Sequence, residues 1–289
     1  MIRKSALLWT VLVLLGCTNH QPSPFADENA AYYWRTDFVL DSAEQAFMKQ
    51  YDIRTLYCRY FDVVLDKEHG AIPNATLTFT SAVPDGIDFV PTVFITEACM
   101  HQPDDSLAVR LVRRVVQMNE TNDVKGVKEL QIDCDYTRCS RETFYHFLEQ
   151  VRAEARRHGM QLSTTIRLHQ LSMPAPPADY GVLMLYNTGD PQRFDERNPI
   201  LDLRDVQPYL RHLNGYELPL CAAYPVFLWQ REVHGVYIEH TAEASEILRV
   251  KQAVEQRRDE LRHRIITYHL SEENINRYNT KDYEAFYHH

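Results

Sequence analysis

Two aspartates at alternate positions, Asp133 and Asp135, lie in the run Glu129-Leu130-Gln131-Ile132-Asp133-Cys134-Asp135-Tyr136. A run of this kind has the period of a strand. Leu130, Ile132 and Cys134 fall on one face, and Gln131, Asp133 and Asp135 on the other. Carboxylates seldom enter a protein interior without a partner or a task. Two like charges at this spacing drive their pKa values apart, leaving one carboxyl protonated as an acid while the other stays ionised. Asp135, nearer the strand end, is therefore the first candidate catalytic residue, and Asp133 is the group that tunes it. Glu97, at the end of another strand-like run, is an alternative proton donor. The same spacing also suits two structural carboxylates, each held by an arginine or by backbone amides.

Strand-like and helix-like runs alternate along the chain. The strands are expected over residues 32–38, 55–64, 90–96, 129–136, 161–168, 181–186, 218–228 and 265–270. A helix is expected after Asp41, with Ala43, Phe47 and Met48 as its apolar stripe, and further helices over 106–118, 140–158, 203–213, 242–264 and 272–287. Asp41 and Glu44 form a capping box for the first helix, and Gly159 a C-cap for the third. Such alternation implies a mostly parallel sheet, and eight units in about 260 residues match a single (β/α)8 TIM barrel. A doubly wound open sheet is the alternative, but it usually carries a glycine-rich phosphate turn after its first strand. None is present, and the whole chain holds only 9 Gly. The hairpin-like run 232–237 reads as an insertion after the seventh strand. In a barrel, binding and catalytic groups gather at the carboxyl ends of the strands. Those ends here offer Arg35, Arg59 with Asp62, Glu97, Asp133 with Asp135, Arg167 with His169, Tyr186 with Asn187, Tyr224 and His269. Arg167 is expected to share an inner face with Gln161, Ser163 and Thr165 and to fork onto Asp133 or Asp135.

Residues 1–17 have the form of a lipoprotein export signal. Arg3 and Lys4 precede an apolar run from Ala6 to Leu15, and Leu14-Leu15-Gly16-Cys17 has the pattern of a lipobox. That run is too short to span a bilayer, which takes about 20 residues. Cys17 is then the lipidation site and the link to a membrane, with residues 18–29 a flexible tether and 30–289 the barrel domain. A lipobox followed by Thr18 indicates a cell-envelope location, with outer-membrane sorting in a Gram-negative source. Hydrophobic residues make up 45% of the chain and charged residues 25%, as in ordinary globular proteins, and the net charge of −9 argues against a nucleic-acid partner. Beyond Cys17 there are five cysteines, and no Cys or His set has the spacing of a zinc site, so no metal or cofactor is expected.

Asp133-Cys134-Asp135-Tyr136-Thr137 resembles part of the D-x-x-D-x-D-x-E strand of glycoside hydrolase family 18, which includes chitinases and endo-β-N-acetylglucosaminidases. Met184-Leu185-Tyr186-Asn187 resembles that family's M-x-Y-D strand, and the two are the fourth and sixth strands in the expected order. The chain as a whole also resembles barrel lipoproteins of the Bacteroidetes. The family resemblance implies that Asp135 orients a substrate acetamide and that Tyr186 bonds the same group. Three positions depart from the pattern. Leu130 stands where the family has its first Asp, Thr137 where it has the catalytic Glu, and Asn187 where it has an Asp. A threonine hydroxyl cannot protonate a glycosidic oxygen at neutral pH. Three readings follow. The first is a glycosidase-like enzyme with a rearranged acid, its arginines suited to an acidic or N-acetylated glycan. The second is a glycan-binding lipoprotein that has lost its acid. The third is a structural envelope lipoprotein.

Overall fold

The computed structural model describes residues 25–102, 104–190, 197–233 and 236–289. The lipobox, Cys17 and most of the expected tether lie outside the described residues. Eight parallel strands close on themselves. They are β1 (Glu28–Tyr33), β2 (Ile53–Asp66), β3 (Asp88–Ile95), β4 (Glu129–Asp133), β5 (Gln161–Ile166), β6 (Tyr180–Met184), β7 (Leu220–Pro225) and β8 (Arg264–Tyr268). Each pairs with the next, and β8 returns to β1. The expected single (β/α)8 barrel is the fold observed.

The main helices are α1 (Ser42–Gln50), α2 (Leu107–Thr121), α3 (Arg141–Arg157), α4 (Ala244–Glu255) and α5 (Thr280–Phe286). Asp41 and Glu44 form the capping box at the start of α1. Gly159, at φ 74°, follows α3 in the left-handed conformation that glycine adopts at least cost. Two expected helices are shorter than their patterns. Residues 203–213 break into two single turns joined by a 3-10 turn. The run 242–264 is helical only over α4, because Arg264 already belongs to β8. The insertion after β7 is an antiparallel hairpin, Leu228–Val233 with Val236–Thr241.

The barrel is amphipathic across its wall. On β4, Leu130, Ile132 and Cys134 are fully buried with Leu111 and Val115 of α2 and Phe144 and Leu148 of α3. Each such large apolar side chain contributes ~1.5–3 kcal/mol by leaving water. Inside the barrel a second apolar cluster includes Tyr32, Tyr57, Val90, Val182 and Met184.

The chain enters the barrel earlier than its polarity suggests. The expected first strand, 32–38, is displaced toward the N-terminus, and β1 starts at Glu28, inside the segment read as tether. Phe25 is buried in the interior cluster, edge-on to Tyr180 at 5.1 Å, with the Arg264 guanidinium over its ring. Glu28 pairs with Arg264 at 2.8 Å. The polar residues around Phe25 hide this in the sequence, because only the closed barrel supplies the rings and the arginine they meet. Phe25→Ala is expected to lower unfolding free energy by about 3–5 kcal/mol, the range for truncating a buried phenylalanine. Urea unfolding of a soluble form starting at residue 24 measures this. A change near zero would place Phe25 outside the core.

Candidate functional site

The inner face of β4 is a column of polar groups, and β5 answers each one. At the amino end, Glu129 Oε1 accepts from the Ser163 hydroxyl at 2.6 Å and from Tyr180, and its Oε2 accepts from Gln161 at 3.1 Å. One layer up, Gln131 donates to Ser163 Oγ at 3.2 Å and accepts from the Tyr32 hydroxyl at 2.8 Å. Above it, Asp133 Oδ1 accepts from Thr165 at 2.6 Å and from Arg167 Nη2 at 3.1 Å. At the mouth, Asp135 Oδ1 accepts from Arg167 Nε. The pairing expected of Arg167 is thus present with both aspartates at once. Asp133 is buried, whereas the Asp135 side chain is 55% exposed.

Burial pushes the Asp133 carboxyl up, against the pull of the Arg167 charge, and the net direction is upward. Burial works against the Arg167 charge too, but Asp133 and Asp135 outweigh it and raise its pKa. The guanidinium stays protonated, so both aspartates have a fixed cation beside them.

A second pair completes the mouth. Arg59 Nε donates to Asp62 Oδ1 at 2.8 Å, and its Nη2 reaches Oδ2. These residues are three apart, a spacing that normally puts them on opposite faces of a strand. The register of β2 against β3 shifts between Arg59 and Phe61, and this bulge turns both side chains inward. Half-buried rings stand around the pairs. Arg59 lies over the Trp34 ring at 5.7 Å, and Tyr268 stacks on Tyr186 at 4.7 Å with Phe227 edge-on to both. Tyr186 donates its hydroxyl to Met184 Sδ at 3.0 Å. Trp34, Phe227 and Tyr268 were missed as site residues. Aromatic residues at the carboxyl ends of strands are the signal that could have found them.

Other expected site residues are placed elsewhere. Arg35 follows β1 and turns its guanidinium to the first turn of α1, where Nη2 meets both Glu44 oxygens at 2.8 and 3.0 Å. Tyr224 points outward into the core between barrel and helices, because Cys221 and Ala223 take the inner phase of β7. Asn187 is exposed on left-handed backbone at φ 52°. His169 is exposed on a 3-10 turn, 3.4 Å from the Tyr136 carbonyl. His269 follows β8 beside the mouth, half-buried and edge-on to Tyr268 at 5.3 Å, and burial lowers its pKa.

Glu97 lies at the end of β3 but serves as an acceptor. Oε1 takes the Ser140 hydroxyl at 2.6 Å and the Thr137 amide at 3.1 Å. Burial pushes its carboxyl up, and these hydrogen bonds outweigh that and hold it below the usual glutamate value. A proton donor needs the opposite shift, so Glu97 does not fit the role of general acid. Thr137, where a family 18 enzyme has its acid, accepts the Cys139 amide at 3.2 Å on its hydroxyl. Among the described residues no group of His, Cys, Asp and Glu is arranged to hold a metal.

The barrel is similar in fold to those of solved chitinases and related cell-wall lytic enzymes. The chitinase from Chromobacterium violaceum superposes with a TM-score of 0.58 at 12% identity, covering 90% of this chain and 98% of that one. The spore cortex-lytic enzyme SleL of Bacillus cereus gives 0.57 at 12%, covering 91% and 74%. A family 18 chitinase from Pseudoalteromonas aurantia gives 0.51 at 10%, covering 89% and 98%. At these identities the likeness is one of fold. No protein-family model and no curated protein matches the sequence.

The Glu97 geometry has a pH signature. Its folded pKa lies below the unfolded value, so its contribution is present above the unfolded value and is lost as pH falls through the folded one. Glu97→Gln should therefore lower the urea midpoint at pH 7 and leave it unchanged well below the glutamate range. Equal destabilisation at both pH values would show that the charge is irrelevant.

Proposed function

We propose that this protein binds a neutral glycan at the C-terminal mouth of the barrel and does not hydrolyse it. One observation carries the reading. Every candidate carboxylate at the mouth is already engaged as an acceptor, Asp133 and Asp135 by Arg167, Asp62 by Arg59, and Glu97 by Ser140 and Thr137. Of Asp133 and Asp135, the residues expected to carry acid chemistry, the half-exposed Asp135 is on this reading a ligand acceptor and the buried Asp133 anchors Arg167. General acid catalysis needs a protonated group within reach of the leaving oxygen. Thr137 cannot supply one. The fold of chitinases and the rings of Trp34, Phe227 and Tyr268 favour a sugar as the occupant. The arginines that suggested an acidic sugar are each spent on a carboxylate, which favours an uncharged ring. The lipobox reading of Cys17 adds that the barrel is tethered to an envelope membrane, and Cys17→Ser should then release it into the soluble fraction.

The test is a glycan array together with a panel of aryl glycosides, using the soluble form from residue 24. Saturable binding to neutral oligosaccharides with no aryl release is expected, and catalytic release would overturn the reading. Tyr268→Ala should weaken binding roughly threefold to tenfold, on the ~0.5–1.5 kcal/mol scale of an aromatic contact. Isothermal titration calorimetry measures this. Unaltered affinity in a folded variant would remove the ring from the site.

A further inference from the structure

Asp133 ends β4 and Asp135 lies two positions on, just beyond the strand, a separation at which two carboxylates in a sheltered site ordinarily share one proton. A single guanidinium lies between them instead. Arg167 Nη2 is 3.1 Å from Asp133 Oδ1, and its Nε bonds Asp135 Oδ1. The third nitrogen, Nη1, is buried and has no hydrogen-bond partner among the described residues. The arginine thus contributes one fixed positive charge where the pair would otherwise take up one proton. We propose that Arg167 stands in for that shared proton, keeping both carboxylates ionised, so that the half-exposed Asp135 is a permanent acceptor for the hydroxyls of a neutral sugar and the buried Asp133 holds the guanidinium in place. Arg167 is on this view a positioning residue. The proposal rests on the glycan-binding reading for the identity of the occupant, but not for the state of the two aspartates.

The groups facing the pair come from several strands. Arg59 and Asp62 stand on β2 as a matched ion pair, so they add little net charge. Thr165 on β5 donates to Asp133. Tyr32 on β1, Tyr186 beyond β6 and Tyr268 on β8 are phenols whose pKa burial raises, so they remain neutral. Among these groups Arg167 is the cation in direct contact with Asp133 and Asp135. Replacing it with a neutral side chain of similar length leaves two adjacent carboxylates without a counter-charge. One proton must then bind.

The test is carboxyl titration by carbon-13 NMR of aspartate-labelled protein, with assignment by Asp133→Asn and Asp135→Asn. No sugar is required, so the result is independent of whether the mouth binds glycan. In the wild type the pair is expected to take up no shared proton between about pH 5 and 8. In Arg167→Met one proton should titrate across the pair within that window, and the signal should vanish in Arg167→Met with Asp135→Asn. Arg167→Lys keeps the charge and should restore the silent behaviour. A proton taken up jointly by the wild-type pair between about pH 5 and 8 would overturn the proposal, and that measurement needs no variant to fold. A folded Arg167→Met with no titrating aspartate, or an Arg167→Lys that titrates like Met, would overturn it as well. If the titrations behave as expected and the glycan array is blank, Arg167 keeps its role and the identity of the ligand is what fails.

Discussion

Glu129, Asp133 and Asp135 bring three carboxylates onto one face of a single strand, and two of them are buried in the barrel. Burying a charge without a partner is costly, so the interior can close only if a donor meets each one. The inner face of β5 supplies those donors in register through Gln161, Ser163, Thr165 and Arg167. The β4–β5 ladder is the condition on which the rest of the barrel stands. It also fixes relative height, because a shift of β5 by one residue would turn its donors to the helices and its apolar residues inward.

The ladder separates the two ends of the barrel by what they do. At the amino end Glu129 is enclosed by Ser163, Tyr180 and Gln161 and lies near Arg264, while Phe25 covers the neighbouring rings. Burial raises the Glu129 pKa, and its hydrogen bonds offset part of that rise. At the carboxyl end the same pattern of carboxylate and donor reaches the surface. Asp135 is half exposed there, beside the partly buried rings of Trp34, Phe227 and Tyr268. Groups fixed by buried partners need little reordering when a ligand arrives, which favours binding by a preorganised mouth.

A shared scaffold does not transmit shared chemistry. In (β/α)8 barrels generally, binding and catalytic groups gather at the carboxyl ends of the strands. In this chain that place holds Thr137, with Arg167 forked onto the two preceding inward aspartates. Thr137 presents a hydroxyl there, and a guanidinium lies against both neighbouring carboxylates.

Much of this was legible in the chain. The period-two run at 129–136, the alternation of apolar stretches and the capping box at Asp41 follow from local stereochemistry and the need to hide apolar faces. They specify a barrel and direct Asp133, Asp135 and Arg167 inward. The packed structure alone decided what those residues meet. The bulge after Arg59, which brings Asp62 to its side, depends on the register with β3. Tyr224 turned to the helices because the phase of β7 is set by which residues fit the interior, and a one-residue difference reverses every side chain. Glu97 became an acceptor because the Thr137 amide and the Ser140 hydroxyl, 40 and 43 residues further along the chain, converge on it only after β3 and β4 pair. Period and composition act through neighbours in the chain. Charge state and hydrogen-bond partnership act through neighbours in space, and those exist only once the barrel has closed.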